Sequence, residues 1–236
     1  KNLKNVLING RISDKSYAKW ANYPKLSKII GGQYKLIFAQ SKKDQNKISN
    51  IFGRLVYFYG NLKFNIKTNI PKSKKKIVCF ASIHLTEYDK VLNIIKSLNL
   101  NEIHEVVIIP RHIQYFENLN EKVISENLKK ITIHNKFGDS MSIFERSKIV
   151  FMGGSLIEHG GQNPIEPLSH GCFVMSGSFN KNFEEIYLDL EKLNLCKTMN
   201  SDNLDSISNE INNLVKVDFN NSTEIENFIN TNKNSL

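Results

Sequence analysis

The chain has 236 residues, of which 40% are hydrophobic and 23% charged, and a formal net charge of +9. This is enough for one large domain, or for one domain and part of another. No apolar run approaches the ~20 residues that a membrane-spanning helix needs. The basic balance suits nucleic acid, anionic lipid or anionic small molecules, and charge alone does not choose among them. Nothing resembles a zinc finger, an RNA-recognition motif or a basic-region helix, so nucleic acid is not an expected partner. The chain starts at Lys1 with neither an initiator Met nor a signal-like segment, which reads as a fragment or a trimmed chain.

In chain order, short apolar runs alternate with helix-like segments. Strands are expected at Val6–Ile8, Leu36–Ala39, Leu55–Tyr59, Ile77–Ala81, Val106–Ile109, Ile131–Ile133, Ile149–Met152 and Phe173–Met175. Ser41 followed by Asp44 is a helix start and Gly53 a fitting stop. Thr86 followed by Asp89 is a second start, leading into Val91, Leu92, Ile94, Ile95 and Leu98. Strands alternating with helices of this length predict parallel sheets of βαβ units. The tract 61–76 is polar and basic and carries Pro71, so it reads as a linker. Its densest run, Lys72 to Lys76, reads first as a solvated segment and second as a contact with an anionic membrane surface. Residues 1–60 then form the tail end of a preceding domain, 77–200 a nearly complete second domain, and 201–236 one or two amphipathic helices with a frayed end. Cys79, Cys172 and Cys196 are scattered and read as buried, reduced thiols, and the histidines lack metal-ligand spacing, so no metal site is expected.

Ligands of parallel α/β sheets bind beyond the carboxyl ends of the strands. There the sequence places Ser82 and His84, then Pro110, Arg111 and His112, then Phe137, Gly138 and Asp139, and finally Gly153, Gly154 and Ser155. The last group opens a loop with a second glycine pair, Gly160 and Gly161, before Asn163, Pro164, Ile165 and Glu166 begin a helix. Glycine pairs let backbone N–H groups approach a ligand, and a helix N-terminus suits a phosphate. Glu166 then suits ribose hydroxyls, and Arg111 offers a planar cation for phosphate, carboxylate or base. Taken singly, Arg111 also fits an ordinary surface residue, Gly138 and Asp139 a turn with a helix cap, and Ser82 a cap for the next helix. Together they read as a nucleotide site.

The motifs NGRISDKS (9–16), FAQS (38–41), YGNLKF (59–64), FASIH (80–84), IIPRH (108–112) and GGSLIEHGGQNPIEP (153–167) resemble, in this order, the Kdo transferases of Gram-negative bacteria. Those enzymes move 3-deoxy-D-manno-octulosonic acid (Kdo) from CMP-Kdo onto the lipid A precursor, lipid IVA, in lipopolysaccharide core biosynthesis. The resemblance implies a GT-B-type glycosyltransferase fold: a Rossmann-like parallel-sheet domain that holds the donor, preceded here by the tail end of another. It carries donor contacts over to Pro110, Arg111, Phe137, Gly138, Asp139, Asn163, Pro164, Ile165 and Glu166. Phosphate or sugar contacts fall on Ser82, His84, Gly153, Gly154, Ser155, Gly160 and Gly161. The pattern departs at Ile83, Thr86 and Tyr88, at Asp139 where Glu is usual, and at Gln162 in place of a common His.

The implied reaction is an inverting, metal-independent displacement without a cofactor, at the cytoplasmic face of the inner membrane. Peripheral contact with the anionic inner leaflet, or an anchor, would hold the enzyme there. The family's membrane anchor, acceptor surface and general-base glutamate belong to the first domain ahead of Lys1, so no catalytic base is assigned here. Donor-phosphate stabilisation is expected from N–H groups of the two glycine pairs and of the helix opening at Asn163. Two alternatives stay open: a catalytically inactive nucleotide-sugar-binding fragment, and another GT-B sugar-nucleotide enzyme.

Overall fold

The computed structural model describes residues 4–136 and 138–233. The chain divides into two compact units, one of residues up to 66 together with those from 228, the other of residues 67–227. The final helix therefore divides between the two units, whereas the sequence groups residues 201–236 as one C-terminal segment.

The first unit has a three-stranded sheet of β1 (Asn5–Gly10), β2 (Tyr34–Ala39) and β3 (Tyr57–Phe58), all parallel and in that order. Helices α1 (Asp14–Ala21), α2 (Pro24–Gly32) and α3 (Lys42–Phe52) connect them. The start and stop signals around α3 act as their chemistry predicts. Asp44 N donates to Ser41 Oγ at 3.0 Å, and Gly53 ends the helix at φ +63°, a left-handed position that glycine adopts without strain. Ile37, Ala39, Ile48 and Val56 form the core of this unit.

The second unit is a six-stranded, all-parallel sheet. Its strands are β4 (Ile77–Ile83), β5 (Glu105–Pro110), β6 (Ile131–Ile133), β7 (Ile149–Met152), β8 (Phe173–Ser176) and β9 (Cys196–Thr198), in the order β6-β5-β4-β7-β8-β9. Its helices are α4 (Tyr88–Lys96), α5 (Phe116–Ser125), α6 (Ser140–Arg146), α7 (Ile165–Ser169), α8 (Glu184–Lys192) and α9 (Leu204–Leu214), followed by α10 (Ser222–Asn232). The central strands β4 and β7 are buried at every position but Ser82, which explains their apolar runs. On one face Val91, Ile94 and Ile95 of α4 join Ile207 and Ile211 of α9 and the sheet residues Val78, Phe80, Ile149 and Phe151 in one core. All three cysteines are buried free thiols.

Three expectations are corrected. Thr86 does not start α4: a 3₁₀ turn over Leu85–Glu87 leads into it, and Glu87 rather than a hydroxyl reaches back to the chain entering the turn. Strand β9 was not expected; it is short, and Lys197 within it is exposed. The basic run 72–76 is not a uniformly solvated linker. Lys74 Nζ donates to the carbonyls of Phe144 and Ser147, 2.8 and 2.6 Å away, binding the end of α6. Burial is the main cause that lowers its pKa.

Candidate functional site

In this strand order the chain runs outward from β4 to β6, returns to the centre at β7 and runs outward the other way. The reversal lies between β4 and β7, and in open α/β sheets the crevice beyond the carboxyl ends of such a pair is where ligands bind. At this point the strands approach very closely. Gly153, directly after β7, lies so near the end of β4 that a Cβ would strike the carbonyl oxygen of Ser82 and the Cα of Ile83. Ser82 itself has φ +58° and coincides with the irregularity in the β4–β5 register between Ala81 and Ile83. The glycine is there because two backbones meet.

The same crevice gathers side chains that are distant in sequence. The ring of His84, after β4, stacks on that of His159 with centroids 4.3 Å apart and planes at 26°. His112, after β5, meets His84 edge-on at 6.0 Å. Gln162 Nε2 lies 3.4 Å from His84 Nε2, and Tyr187 Oη donates to the Gln162 carbonyl at 3.4 Å. Arg111 is exposed, and its backbone N donates to Ile83 O at 2.8 Å, which fixes the turn after β5 beside the end of β4. Burial, followed by the neighbouring His159, lowers the pKa of His84; Glu87 opposes this, and His112 and Arg111 add to it. Three imidazoles and a guanidinium therefore share one rim, with His84 biased toward its neutral form.

Ser82, His84, Gly153 and Gly154 thus come together with Arg111 beside them. Gly138 and Asp139 follow β6, the edge strand two places from β4, and both are exposed; nothing lies within 4 Å of where a Cβ on Gly138 would sit. Phe137 lies outside the described residues. Asn163 Nδ2 donates to Glu166 Oε1 at 3.2 Å, and Ile165 N donates to Asn163 Oδ1 at 3.3 Å, so Asn163 orients Glu166 and closes the first turn of α7. Pro110, Pro164 and Ile165 are buried, Ile165 completely, which leaves any ligand contact from Pro164 and Ile165 to their backbone.

Several of the backbone N–H groups expected to stabilise an anion make hydrogen bonds within the protein. Gly153 N donates to Ala81 O at 2.8 Å, Gly161 N to Gly154 O at 2.7 Å, and Ile165 N to Asn163. Gly154 N and Ser155 N both donate to the carboxylate of Glu87, at 2.7 and 3.1 Å, and Ser155 Oγ donates to Met152 O. These N–H groups already have acceptors within the protein. Beside them the rim presents the side chains of Arg111, His84, His112 and His159, together with Gln162. Sequence reasoning passed over Glu87, which stands between the noted positions Thr86 and Tyr88, and His159, which stands inside the motif 153–167. Among the described residues no group of three or more His, Cys, Asp or Glu is placed to hold a metal ion.

A cavity of about 560 Å³ lies at the opposite, amino ends of the strands, lined by Lys74, Lys148, Phe173, Asp218 and Phe219 among others. Its two inner cations are already engaged: Lys74 with the end of α6, and Lys148 with Val215 O at 2.9 Å and Asp218 Oδ1 at 3.3 Å. None of the rim residues lines it.

Residues 1–66 match a family model described as 3-deoxy-D-manno-octulosonic-acid transferase, N-terminal part. A bifunctional glycosyltransferase/methyltransferase of Fusobacterium nucleatum is 26% identical over 217 residues, covering 79% of this chain and 33% of that protein. A 3-deoxy-D-manno-octulosonic acid transferase of Rickettsia bellii is 26% identical over 204 residues, covering 75% of this chain and 49% of the relative. The chain thus spans a third and about half of the lengths of these two relatives. Among solved structures, the C-terminal CMP-Kdo binding domain of WaaA from Acinetobacter baumannii superposes with a TM-score of 0.54 at 20% identity, covering 67% of this chain and 87% of that domain. The architecture is that of GT-B glycosyltransferases.

Proposed function

We propose that this chain, a relative of the Kdo transferases, belongs to a GT-B glycosyltransferase and that its second unit holds the CMP-Kdo donor. The observation that carries this reading is the meeting of β4 and β7 at the reversal of the sheet. There Gly153 lets the two strand ends close on each other, and His84, Arg111 and His159 line the rim. In the proposed binding mode Glu166, oriented by Asn163, takes the ribose hydroxyls, and Arg111 with the imidazoles faces the phosphate. Gly138, Asp139 and the backbone of Pro164 and Ile165 enclose the base and ribose. The lowered pKa of His84 suits a site that is uncharged at that ring until an anion arrives.

The reaction we assign to the complete enzyme is a direct displacement with inversion and without a metal. A hydroxyl oxygen of lipid IVA attacks the anomeric carbon of Kdo, its proton passing to a carboxylate base. The bond from that carbon to the phosphate oxygen breaks, and its electron pair leaves with CMP. Side chains of this rim lower the energy of the departing phosphate as its charge grows. No carboxylate of these 236 residues is assigned as the base, so the chain is credited with donor binding and not with turnover. The basic balance, +9 overall, fits a donor with two acidic groups and a phosphorylated acceptor at the inner leaflet, on the cytoplasmic face. Titration calorimetry of the chain with CMP, and with UMP for comparison, tests the reading. Saturable CMP binding without transfer activity is expected; no CMP binding at any accessible concentration would refute it.

A further inference from the structure

Glu87 is absent from the donor contacts above, yet it is the one acidic residue among those described with no exposed surface at all. A carboxylate removed from water is costly unless its oxygens are fully bonded. Here Oε2 accepts from His84 N at 3.0 Å and Gly154 N at 2.7 Å, and Oε1 accepts from Ser155 N at 3.1 Å and Leu156 N at 3.0 Å. The four donors come from two different loops, one leaving β4 and the other leaving β7. The first loop carries His84, and the second carries His159, whose ring stacks on His84. Three residues on, in the first turn of α4, Lys90 Nζ donates to Leu156 O at 3.0 Å and Ser201 O at 3.2 Å. The residue Leu156 is therefore held by its N–H and its carbonyl at once, by opposite charges three residues apart where the 3₁₀ turn runs into α4.

We propose that Glu87 is a positioning residue: its carboxylate ties the loops after β4 and β7 into one piece and so holds the rings of His84 and His159 in register for an anionic ligand. The identity of that ligand as the donor phosphate rests on the reading given above, while the tie between the loops does not. A residue that merely filled this space would need no charge. What distinguishes Glu87 is that both of its oxygens are aimed at backbone donors on which the two histidines depend.

Glu87→Gln keeps the volume but turns one acceptor oxygen into an N–H₂ facing backbone N–H groups. Glu87→Asp keeps the charge and shortens the reach. Histidine ring signals would be followed by NMR, assigned with His84→Asn and His159→Asn, and CMP affinity by calorimetry, on the whole chain. In Glu87→Gln the mutual ring-current shifts of His84 and His159 are expected to collapse and CMP affinity to fall about tenfold or more, with partial recovery of both in Glu87→Asp. Unchanged ring signals in Glu87→Gln would overturn the proposal, as would weakened CMP binding with the ring pair intact. If the native chain binds no CMP but the ring pair still separates in Glu87→Gln, the positioning role stands and the donor reading fails. Should the variants not fold, amide exchange in the native protein decides: the N–H groups of His84, Gly154, Ser155 and Leu156 are expected among the slowest-exchanging loop amides, and fast exchange there would overturn the role.

Discussion

Replacing Gly153 by Ala tests the geometry on which the site is built. The added methyl would meet the carbonyl oxygen and carbon of Ser82 and the Cα of Ile83, all main-chain atoms that no rotamer change can move aside. Backing away would stretch the 2.8 Å bond from Gly153 N to Ala81 O, next to the last pairing of β4 with β7 at Ala81 and Met152. Overpacking of this kind costs roughly 1–3 kcal/mol, and a backbone obstacle on an all-buried sheet puts the cost near the upper end. Unfolding of a domain of this size shifts by about 2–4 °C per kcal/mol, so a fall of about 6–12 °C is expected in the transition of the second unit, read by scanning calorimetry. Gly138→Ala is the control. It meets no atom within 4 Å and bears only the strain of φ +85°, about 1–2 kcal/mol. If Gly153→Ala melts no lower than Gly138→Ala, the close approach of the two strand ends is not what fixes this loop.

Glu166→Ala removes a carboxylate whose bond to ribose hydroxyls would contribute about 1.5–3 kcal/mol, so CMP should bind at least about tenfold more weakly by calorimetry; equal affinity would take Glu166 out of the site. Burial lowers the pKa of both His84 and His170, so the unfolded chain holds more protons than the folded one just below the ordinary histidine value of about 6.5. Stability is then greatest above that value and declines as pH falls toward the depressed folded values. His84→Asn should flatten the part of this decline that belongs to His84 in melts taken across the range. Burial pushes the Cys172 thiol up to about 11 and raises those of Cys79 and Cys196 as well. Iodoacetamide at mildly alkaline pH should therefore leave all three unlabelled by mass spectrometry until the chain is unfolded, and labelling of the native protein would contradict their placement.

Every strand anticipated from an apolar run in the second unit is present, because parallel strands covered on both faces leave continuous hydrophobic stretches that stand out in the letters. Strand β9 was missed for the converse reason: three residues with an exposed lysine carry no period to read. Thr86 misled because the turn is closed by Glu87, which accepts from His84 N and is also fixed by N–H groups 67 to 69 positions away that no local pattern records. The residues at the strand ends were legible once a parallel sheet was inferred, since that topology alone puts them at one edge. Glu87, and the stacking of His159 on His84, were not, because no spacing along the chain records either contact. Lys74, likewise, looked solvated among its neighbours and is held by carbonyls 70 and 73 residues on.

The glycine pairs read as a phosphate cradle, but several of their N–H groups bond within the protein, and the balance between backbone and side chains bears on chemistry. A cradle of N–H groups would bind an anion with an affinity that hardly responds to pH, because amides do not titrate in the neutral range. Here Glu87 and backbone carbonyls accept from the N–H groups of Gly153, Gly154 and Gly161, while Arg111 and imidazoles stand at the same rim, so a contribution from titrating side chains is the proposal to test. His84 leans toward neutrality through burial and through His159, with His112 and Arg111 adding to that bias and Glu87 opposing it. An anion beside the ring favours its protonated form, so binding and proton uptake are linked. A nucleotide phosphate loses its second proton at about pH 6, and that loss by itself would strengthen binding to cations as pH rises. A CMP affinity that instead falls between about pH 7 and 8, where the phosphate no longer titrates, must come from the protein. It should fall toward a plateau held by Arg111, and His84→Asn should remove the part of the fall that belongs to His84. A flat profile for the native chain would return the anion to the backbone and remove the imidazoles from the site.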